Sequence, residues 1–573
     1  MDDLKILFQD IAKTIDAGNA ADANQFDEQT YLRYNPDIAL AVQQGKFFSG
    51  YQHYLEFGRR EGRVFEAPTA ARQNQFLFVE TTDKPAEQTI PEVHLEVVMM
   101  STHGLFLNGW SADANNPIER VHIRGPGWSF WIGSELLARV RRHDVEEALK
   151  SGVPHPYGFW SFIASERQIP SGPCIVNVVF AGETRSQHTV TPIANNDEDL
   201  RNIVLGYLHG SHHFGNPHVG AIATIERGLG RQIVDFNKGV SASIVSRAHV
   251  ERFHVSGRTP KASIVVCLYG KPEFLFVQAA LFHRCQGMQD YEFIYVSNSP
   301  DIIDRLLAEA RIASRIYGID QTCVLLAGNA GFGAANNVAV RYARSSRILI
   351  LNPDVFPHDP LWAVRHTELV EHAADAQTKL FGAPLYYDDG SLMHGGMYFD
   401  IDRPLLTRAG SITSKRLVRV EHYGKGAPAD DAVFTRPRPV AAVTGAFISV
   451  DRGWFERLGG FTEDYVFGHY EDADLCLKST EQGVSPWLQD IRLWHLEGKG
   501  SSRLPVHEGG SLVNRWLFSH TWADRIEANY TLGPVNVRAV LDEYAALNAH
   551  PNAHASRPGR RRRHDQPVSE AAQ

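Results

Sequence analysis

The sequence predicts an α/β protein whose chemistry lies over residues 259–530. That region reads as a mostly parallel sheet with helices on both faces, preceded by a small helical segment and a β-sandwich-like domain. Three observations predict it. From about residue 259, short apolar runs alternate with helical segments, the pattern of strands buried on both faces and wound by crossover helices. Residues 92–195 instead carry brief β-rich runs, broken by Gly, Pro and Asn at roughly 8–15-residue spacing. The 573 residues, 43% hydrophobic and 21% charged, have the composition of a folded globular chain.

Composition also excludes several classes. A net charge of -9 and a pI of about 6.3 leave no global basic field for nucleic acid. Cys174, Cys267, Cys285, Cys323 and Cys476 are far apart with no CxxC, which argues against a zinc ribbon or thioredoxin-type site and suits a reducing compartment. No apolar run approaches the roughly 18 residues that span a bilayer. The first residues, MDDLKILFQDIAKTID, begin acidic and carry charge throughout, unlike a secretory signal. The expectation is a cytoplasmic protein.

Element by element, Leu4, Leu7, Phe8, Ile11 and Ile15 sit at helical spacing and predict an amphipathic helix. Gly45, Gly50, Gly58 and Gly62 then punctuate an aromatic-rich stretch, completing a helical segment over 1–66. It contains YLRYNPDIALAVQQG and HYLEFGRREGR, similar to a motif of bacterial envelope- and polysaccharide-related proteins. Polar residues 67–91 read as a linker. In 92–195 the runs VHLEVVMMS, GLFLNGW, ERVHIRG, SFWIG and CIVNVVFAG predict strands, and the module resembles an accessory β-domain found beside bacterial glycosyltransferase domains. Trp110, Trp128, Trp131 and Trp160 fit either its core or a sugar-stacking platform. Residues 196–258 read as a mostly helical connector. Its His209, His212, His213 and His218 have no close cysteine or carboxylate and suit a polar loop better than a metal site. After residue 531 a C-terminal helix leads into RPGRRRRHDQPVSEAAQ, a disordered basic tail.

Ligands of open α/β sheets bind beyond the carboxyl ends of the strands. There the sequence places Tyr269-Gly270-Lys271-Pro272, then Ser297-Asn298-Ser299-Pro300-Asp301, then Asn329-Ala330-Gly331-Phe332, and then Asn352-Pro353-Asp354-Val355. Small and polar residues at every strand end suit a nucleotide pocket. No GxGxxG opens a helix and no GxxxxGK[ST] occurs, which disfavours dinucleotide and P-loop folds.

Seven stretches in order carry a family resemblance: SIVVCLYGKPEFL, NAGFGAANN, LILNPDV, YYDDGSLMHGG, TGAFISVDRGWFERLGGF, FGHYEDADLCLK and WHLEGKGS. Over about 260–503 the chain resembles family-2 glycosyltransferases with a GT-A fold, in the rhamnosyl- and galactofuranosyl-type branch of bacterial polysaccharide assembly. The resemblance implies a nucleotide-diphosphate sugar donor and a saccharide or lipid-linked saccharide acceptor. It further implies inversion, Mn2+ or Mg2+, and peripheral contact with the inner membrane. Asp354, on a turn after a buried strand, is a hard oxygen ligand for such an ion. By resemblance His495 is the second ligand, with Lys499 and Ser501 on the diphosphate. Tyr269, Ser297, Asn298, Asp301, Asn329, Gly331, Asn336 and Asn352 line the donor side. Thr444, Gly445, Trp454, Gly460, Phe461 and Glu471 match the acceptor side. Asp472, opening a helix whose dipole favours carboxylates, is by resemblance the general base.

Two departures stand out. Asn352-Pro353 replaces the first acid of the DxD motif, so substrate phosphates supply much of the metal coordination. Ser297 stands near the place of an acid that contacts the base ring, leaving Asn298 or Asp301 to substitute. A nucleotidyltransferase needs an Arg- and Lys-bearing glycine loop after the first strand, which CLYGKPEF lacks. The remaining alternative is a non-catalytic carbohydrate-binding or envelope-assembly protein with a decayed transferase domain, separable by assaying release of UDP or dTDP.

Overall fold

The computed structural model describes residues 90–534 apart from 151–154, 182, 211–216, 373–378, 403–404, 407–411, 414–416, 430 and 501–503. The expected N-terminal segment, most of the linker, the basic tail, His212, His213 and Ser501 lie outside the described residues.

Residues 93–194 form two sheets. One runs Ala138–Val140, Gly158–Ala164, Gly104–Ser111, Val93–Met100 and Ile193–Ala194, and the other Trp128–Gly133, Ile118–Gly125, Cys174–Phe180 and Arg185–Val190. Alternating side chains such as Val98, Leu105, Leu107, Val121, Ile123, Val176 and Val178 are buried in one cluster with strands of both sheets. Val97, Phe106, Trp160 and Phe162 turn the other way and pack on Leu200, Val204 and Phe236 of the helices Asp197–Gly210 and Gly230–Ser246. The four tryptophans form no common platform. Trp160 is buried, Trp110 stacks on His94, Trp128 donates to the Pro170 carbonyl, and Trp131, 58% exposed, stacks on His122.

The nine-stranded sheet gives the protein its mixed α/β character. Its middle is parallel, in the spatial order Asp320–Leu325, Tyr291–Ser297, Ala262–Leu268, Arg347–Leu351. The first strand in sequence thus lies inside, and the chain switches sides on either flank of it. The crevice between the ends of Ala262–Leu268 and Arg347–Leu351 is the switch point, where such sheets bind ligands. The helices Phe274–His283, Ile303–Tyr317 and Phe332–Val340 make the crossovers. Phe447–Asp451 then pairs antiparallel with Arg347–Leu351, Leu351 opposite Phe447 and Arg347 opposite Asp451. A second, four-stranded sheet of Val355–Pro357, Leu493–His495, Leu385–Tyr386 and Leu392–His394 stands beside the crevice. The long helix Pro505–Asn529 closes the back and packs on Asp197–Gly210. All five cysteines are buried and free, and among the described residues no helix is long and apolar enough to cross a membrane.

Candidate active site

Asp354 leaves the crevice edge on a tight turn, with Val355 N–H donating to the Asn352 carbonyl at 3.2 Å. Gln278, a lone polar residue in the apolar helix Phe274–His283, fixes that turn. Its Nε2 donates to the carbonyls of Asn352 at 2.8 Å and Val355 at 3.1 Å. Asp354 Oδ1 faces His495 Nε2 at 3.4 Å and Oδ2 accepts from Gly500 N–H at 2.8 Å. Burial alone would raise the Asp354 pKa, but His495 and the Gly500 amide hold it below the ordinary value. Gly500 cannot be larger, because a Cβ there would lie 2.6 Å from Asp354 Oδ1.

This pair fits a hard divalent ion. Two ligands about 2.1 Å from one octahedral ion lie about 3 Å apart, close to the observed spacing. It is His495 Nε2 that faces Asp354, while the buried Nδ1 on the other edge of the ring has no hydrogen-bond partner. Among the described residues no group of three or more His, Cys, Asp or Glu can hold a metal. The remaining coordination falls to substrate and water.

Asp472 approaches from the other side of one short segment, Thr444–Ala446. Gly445 N–H donates to Asp472 Oδ2 at 2.7 Å, while the next carbonyl, Ala446, accepts from Asn352 N–H at 3.0 Å. Asp472 Oδ1 accepts from Ala473 N–H at 2.7 Å. Burial raises the Asp472 pKa against these backbone bonds. Glu471 is buried with Oε2 unpartnered, and burial plus the neighbouring Asp472 charge push its pKa well up. Adjacent carboxyls are thus driven apart: Glu471 keeps its proton and Asp472, with two N–H donors, carries the charge.

A stability prediction follows from the sign of that shift. An unfolded glutamate ionises near pH 4.3, whereas folded Glu471 holds its proton higher. Its contribution is therefore full below pH 4.3 and lost as pH rises toward the folded value. Glu471→Gln removes that loss. Its Tm should gain on the wild type progressively from pH 4 to pH 8, with turnover within about tenfold.

The carboxylates are set by a strained approach. Phe467, His469 and Tyr470 have φ of 59°, 83° and 78°, left-handed values that cost non-glycine residues about 1–3 kcal/mol each. The buried Asn514 of the Pro505–Asn529 helix holds this loop. Its Oδ1 accepts from Val466 N–H at 2.7 Å, and its Nδ2 donates to the carbonyls of Val466 at 2.8 Å and Gly468 at 2.6 Å. Asn514→Ala strands these groups and should cost about 2–3 kcal/mol by urea unfolding. It should lower kcat about tenfold and also raise donor KM, because the same loop places Asp472 and, through Phe467, backs Gly331 on the donor side. Asp474 is a structural anchor, accepting from Thr462 Oγ1 at 2.6 Å and Trp522 Nε1 at 2.8 Å.

On the donor side, Asn298 Oδ1 accepts from Ala330 N–H at 2.9 Å and its Nδ2 donates to Asn329 Oδ1 at 3.0 Å, tying the second and third strand ends. Gly331, at φ 85°, lies against the Phe467 backbone, where a Cβ would meet three atoms at 3.3 Å. Arg201, from the connector, donates to the Asn329 carbonyl at 3.0 Å and lies over the Phe467 ring at 4.6 Å. Burial lowers its pKa to about 10. Tyr269 is half-buried, and burial raises its pKa. Asp301 is exposed at the rim.

Other expected residues are placed differently. The buried Ser297 spends its hydroxyl on the Ser299 carbonyl at 2.7 Å, and Asn336 Nδ2 bonds its own helix at Phe332 O. Trp454 does not reach the crevice. It follows Asp451, which pairs with the start of Arg347–Leu351, so it lies at the opposite sheet edge, buried, with Nε1 on Ser479 Oγ at 3.0 Å. Gly460 and Phe461 belong to the same return, tied by Phe461 N–H to Asn337 Oδ1 at 3.0 Å. Thr444 and Gly445 do line the crevice, as the bonds of their segment show. Lys499 N–H closes the final turn on the Leu496 carbonyl at 3.0 Å. Sequence reasoning missed Gln278, Arg201 and Asn514. A polar residue within an apolar helical run was the available signal for Gln278.

The chain matches no protein-family model. Over 251 residues, 41% of its length, it is 28% identical to the uncharacterized protein y4gI of Sinorhizobium fredii. Over 253 residues, 43% of its length, it is 27% identical to the O-antigen biosynthesis protein RfbC of Myxococcus xanthus. The matches span 25% and 18% of those relatives' own lengths. Among solved structures it is similar to a mannosyltransferase of Pyrobaculum calidifontis in complex with GDP-Man and Mn2+ (14% identity, 61% of this chain and 93% of that one, TM-score 0.29). It is also similar to GalNAc-T7 with UDP, GalNAc and Mn2+ (14% identity, 47% and 50%, TM-score 0.34).

Proposed function

We propose that the protein is an inverting, metal-dependent glycosyltransferase of the GT-A, family-2 type. It moves a sugar from a nucleotide-diphosphate sugar to a hydroxyl of a saccharide or lipid-linked saccharide acceptor, in cell-surface polysaccharide assembly at the cytoplasmic face of the membrane. One observation carries this reading: the Thr444–Ala446 segment bonds Asp472 at Gly445 and the Asp354 turn at the next residue. A proton acceptor and a seat for a diphosphate's charge thus share one crevice at the switch point. The O-antigen role in the name of the Myxococcus xanthus relative supports the polysaccharide setting.

Asp354 and His495 would hold Mn2+ or Mg2+, which supplies positive charge against the leaving diphosphate. Asp472 takes the acceptor hydroxyl proton as that oxygen attacks the anomeric carbon. The bond from carbon to phosphate oxygen breaks and its electron pair leaves with the diphosphate, a direct displacement that inverts the centre. Asn298, Asn329 and Gly331 shape the nucleotide side without committing charge. The test is release of UDP, dTDP or GDP from a panel of sugar nucleotides with a saccharide acceptor, with and without Mn2+. Nucleotide binding without release would favour the non-catalytic alternative.

A further inference from the structure

The stretch YYDDGSLMHGG supplies a strand of the small sheet, and its histidine has no role in the chemistry above. The side chain of His394 is fully buried, yet its Nε2 has no hydrogen-bond partner. Its Nδ1 faces His422 Nδ1 at 3.2 Å. Strand pairing gives its neighbours, with the register shifting just beyond, between Leu385 and Tyr386. Leu385 pairs with both His394 and Leu493, so these three share a face, and His495, two residues beyond Leu493, shares it as well. That is the face from which His495 addresses Asp354.

A buried imidazole nitrogen left unpaired is destabilising, and a group that completes it only when bound recovers that loss. The surroundings select the group. Burial, with His422, Arg438 and His495 nearby, keeps His394 neutral, and burial with Lys425 takes His422 down to about 4 despite Glu497. Neutral rings are poor seats for a phosphate. Arg438 is spent on the carbonyls of Phe434, Arg436 and Gly395, and Lys425 on Glu497 at 3.0 Å. Among the described residues no three His, Cys, Asp or Glu side chains come together to hold one ion, which disfavours His394 as a third metal ligand. A hydroxyl both donates and accepts, so it satisfies either tautomer of Nε2.

We propose that His394, steadied by His422, reads the donor: its Nε2 hydrogen-bonds one hydroxyl of the sugar carried by the nucleotide diphosphate. The inference rests on the transferase reading and deepens it. Calorimetry of the full chain with UDP, dTDP or GDP plus Mn2+, then with the hexose conjugate of whichever binds, tests both. Wild type should bind the conjugate more tightly than the nucleotide alone. His394→Ala should bind the nucleotide as wild type does and lose about tenfold of the sugar's increment. Wild-type protein titrated with single-deoxy conjugates should lose the same increment at one ring position, a result that needs no variant to fold. An undiminished increment in His394→Ala overturns the proposal, as does equal affinity for every deoxy conjugate, the outcome expected of a buried water at Nε2. So does loss of Mn2+-dependent nucleotide binding in the variant, which would make His394 a metal ligand. Failure of wild type to bind any nucleotide diphosphate overturns the transferase reading itself.

Discussion

Asp354→Asn is expected to lower turnover by about 10³-fold or more while leaving the fold in place. The amide is nearly isosteric, and its carbonyl oxygen can keep the bond from Gly500 N–H that the carboxylate accepts at 2.8 Å. What it removes is the negative charge that faces His495 Nε2 at 3.4 Å in the proposed two-residue seat for the ion. Because only two side chains contribute, the site should bind an ion weakly without nucleotide and tightly with it. EDTA should therefore abolish wild-type turnover, and Mn2+ should restore it with an apparent affinity that improves as donor concentration rises. The variant should lose that coupling. Turnover, Tm and Mn2+ titration at two donor concentrations check it. Full wild-type activity in EDTA would remove the metal from the proposal and leave the transfer chemistry standing.

The parallel strands of the large sheet were legible because each is buried on both faces and carries an apolar run, from ASIVVCL to RILIL, although Asp320–Leu325 opens on three polar residues. Its antiparallel flank was not. Leu380–Gly382, Trp487–Leu488 and Arg438–Pro439 are two or three residues long, too short for any period to show. Strand direction was a second blind spot. Residues after a strand line the crevice only if that strand runs with its parallel neighbours. Phe447–Asp451 runs the other way, so Thr444 and Gly445, before it, reach the site, and Trp454, after it, does not. The connector shows a third. Arg201 reads as one charge in an amphipathic helix, and only the packing of that helix on the third strand end makes it part of the crevice wall. Asp354, His495 and Asp472 were nameable because motif order, rather than periodicity, carried them.

Asp472→Asn should leave nucleotide affinity near the wild-type value and reduce turnover by roughly 10²–10⁴-fold, the scale of general-base catalysis. The variant is not silent structurally. Asp472 accepts N–H bonds on both oxygens, from Gly445 and Ala473, and an amide can accept only on one. A stability loss of about 1–2 kcal/mol should accompany it. That loss is separable from the catalytic one, because turnover can be measured well below the variant's Tm. The acid limb of the wild-type kcat profile should sit above the ordinary carboxylate range, since burial raises the Asp472 pKa, and activity should rise with pH as the proton leaves. That limb should vanish in the variant. Glu471→Gln should keep it, because Asp472 and not Glu471 is the proposed base. The product of the wild type should carry the opposite anomeric configuration to the donor, read by NMR on the first-formed linkage. Retention of configuration, or near-normal turnover in Asp472→Asn, would overturn direct displacement with Asp472 as its base.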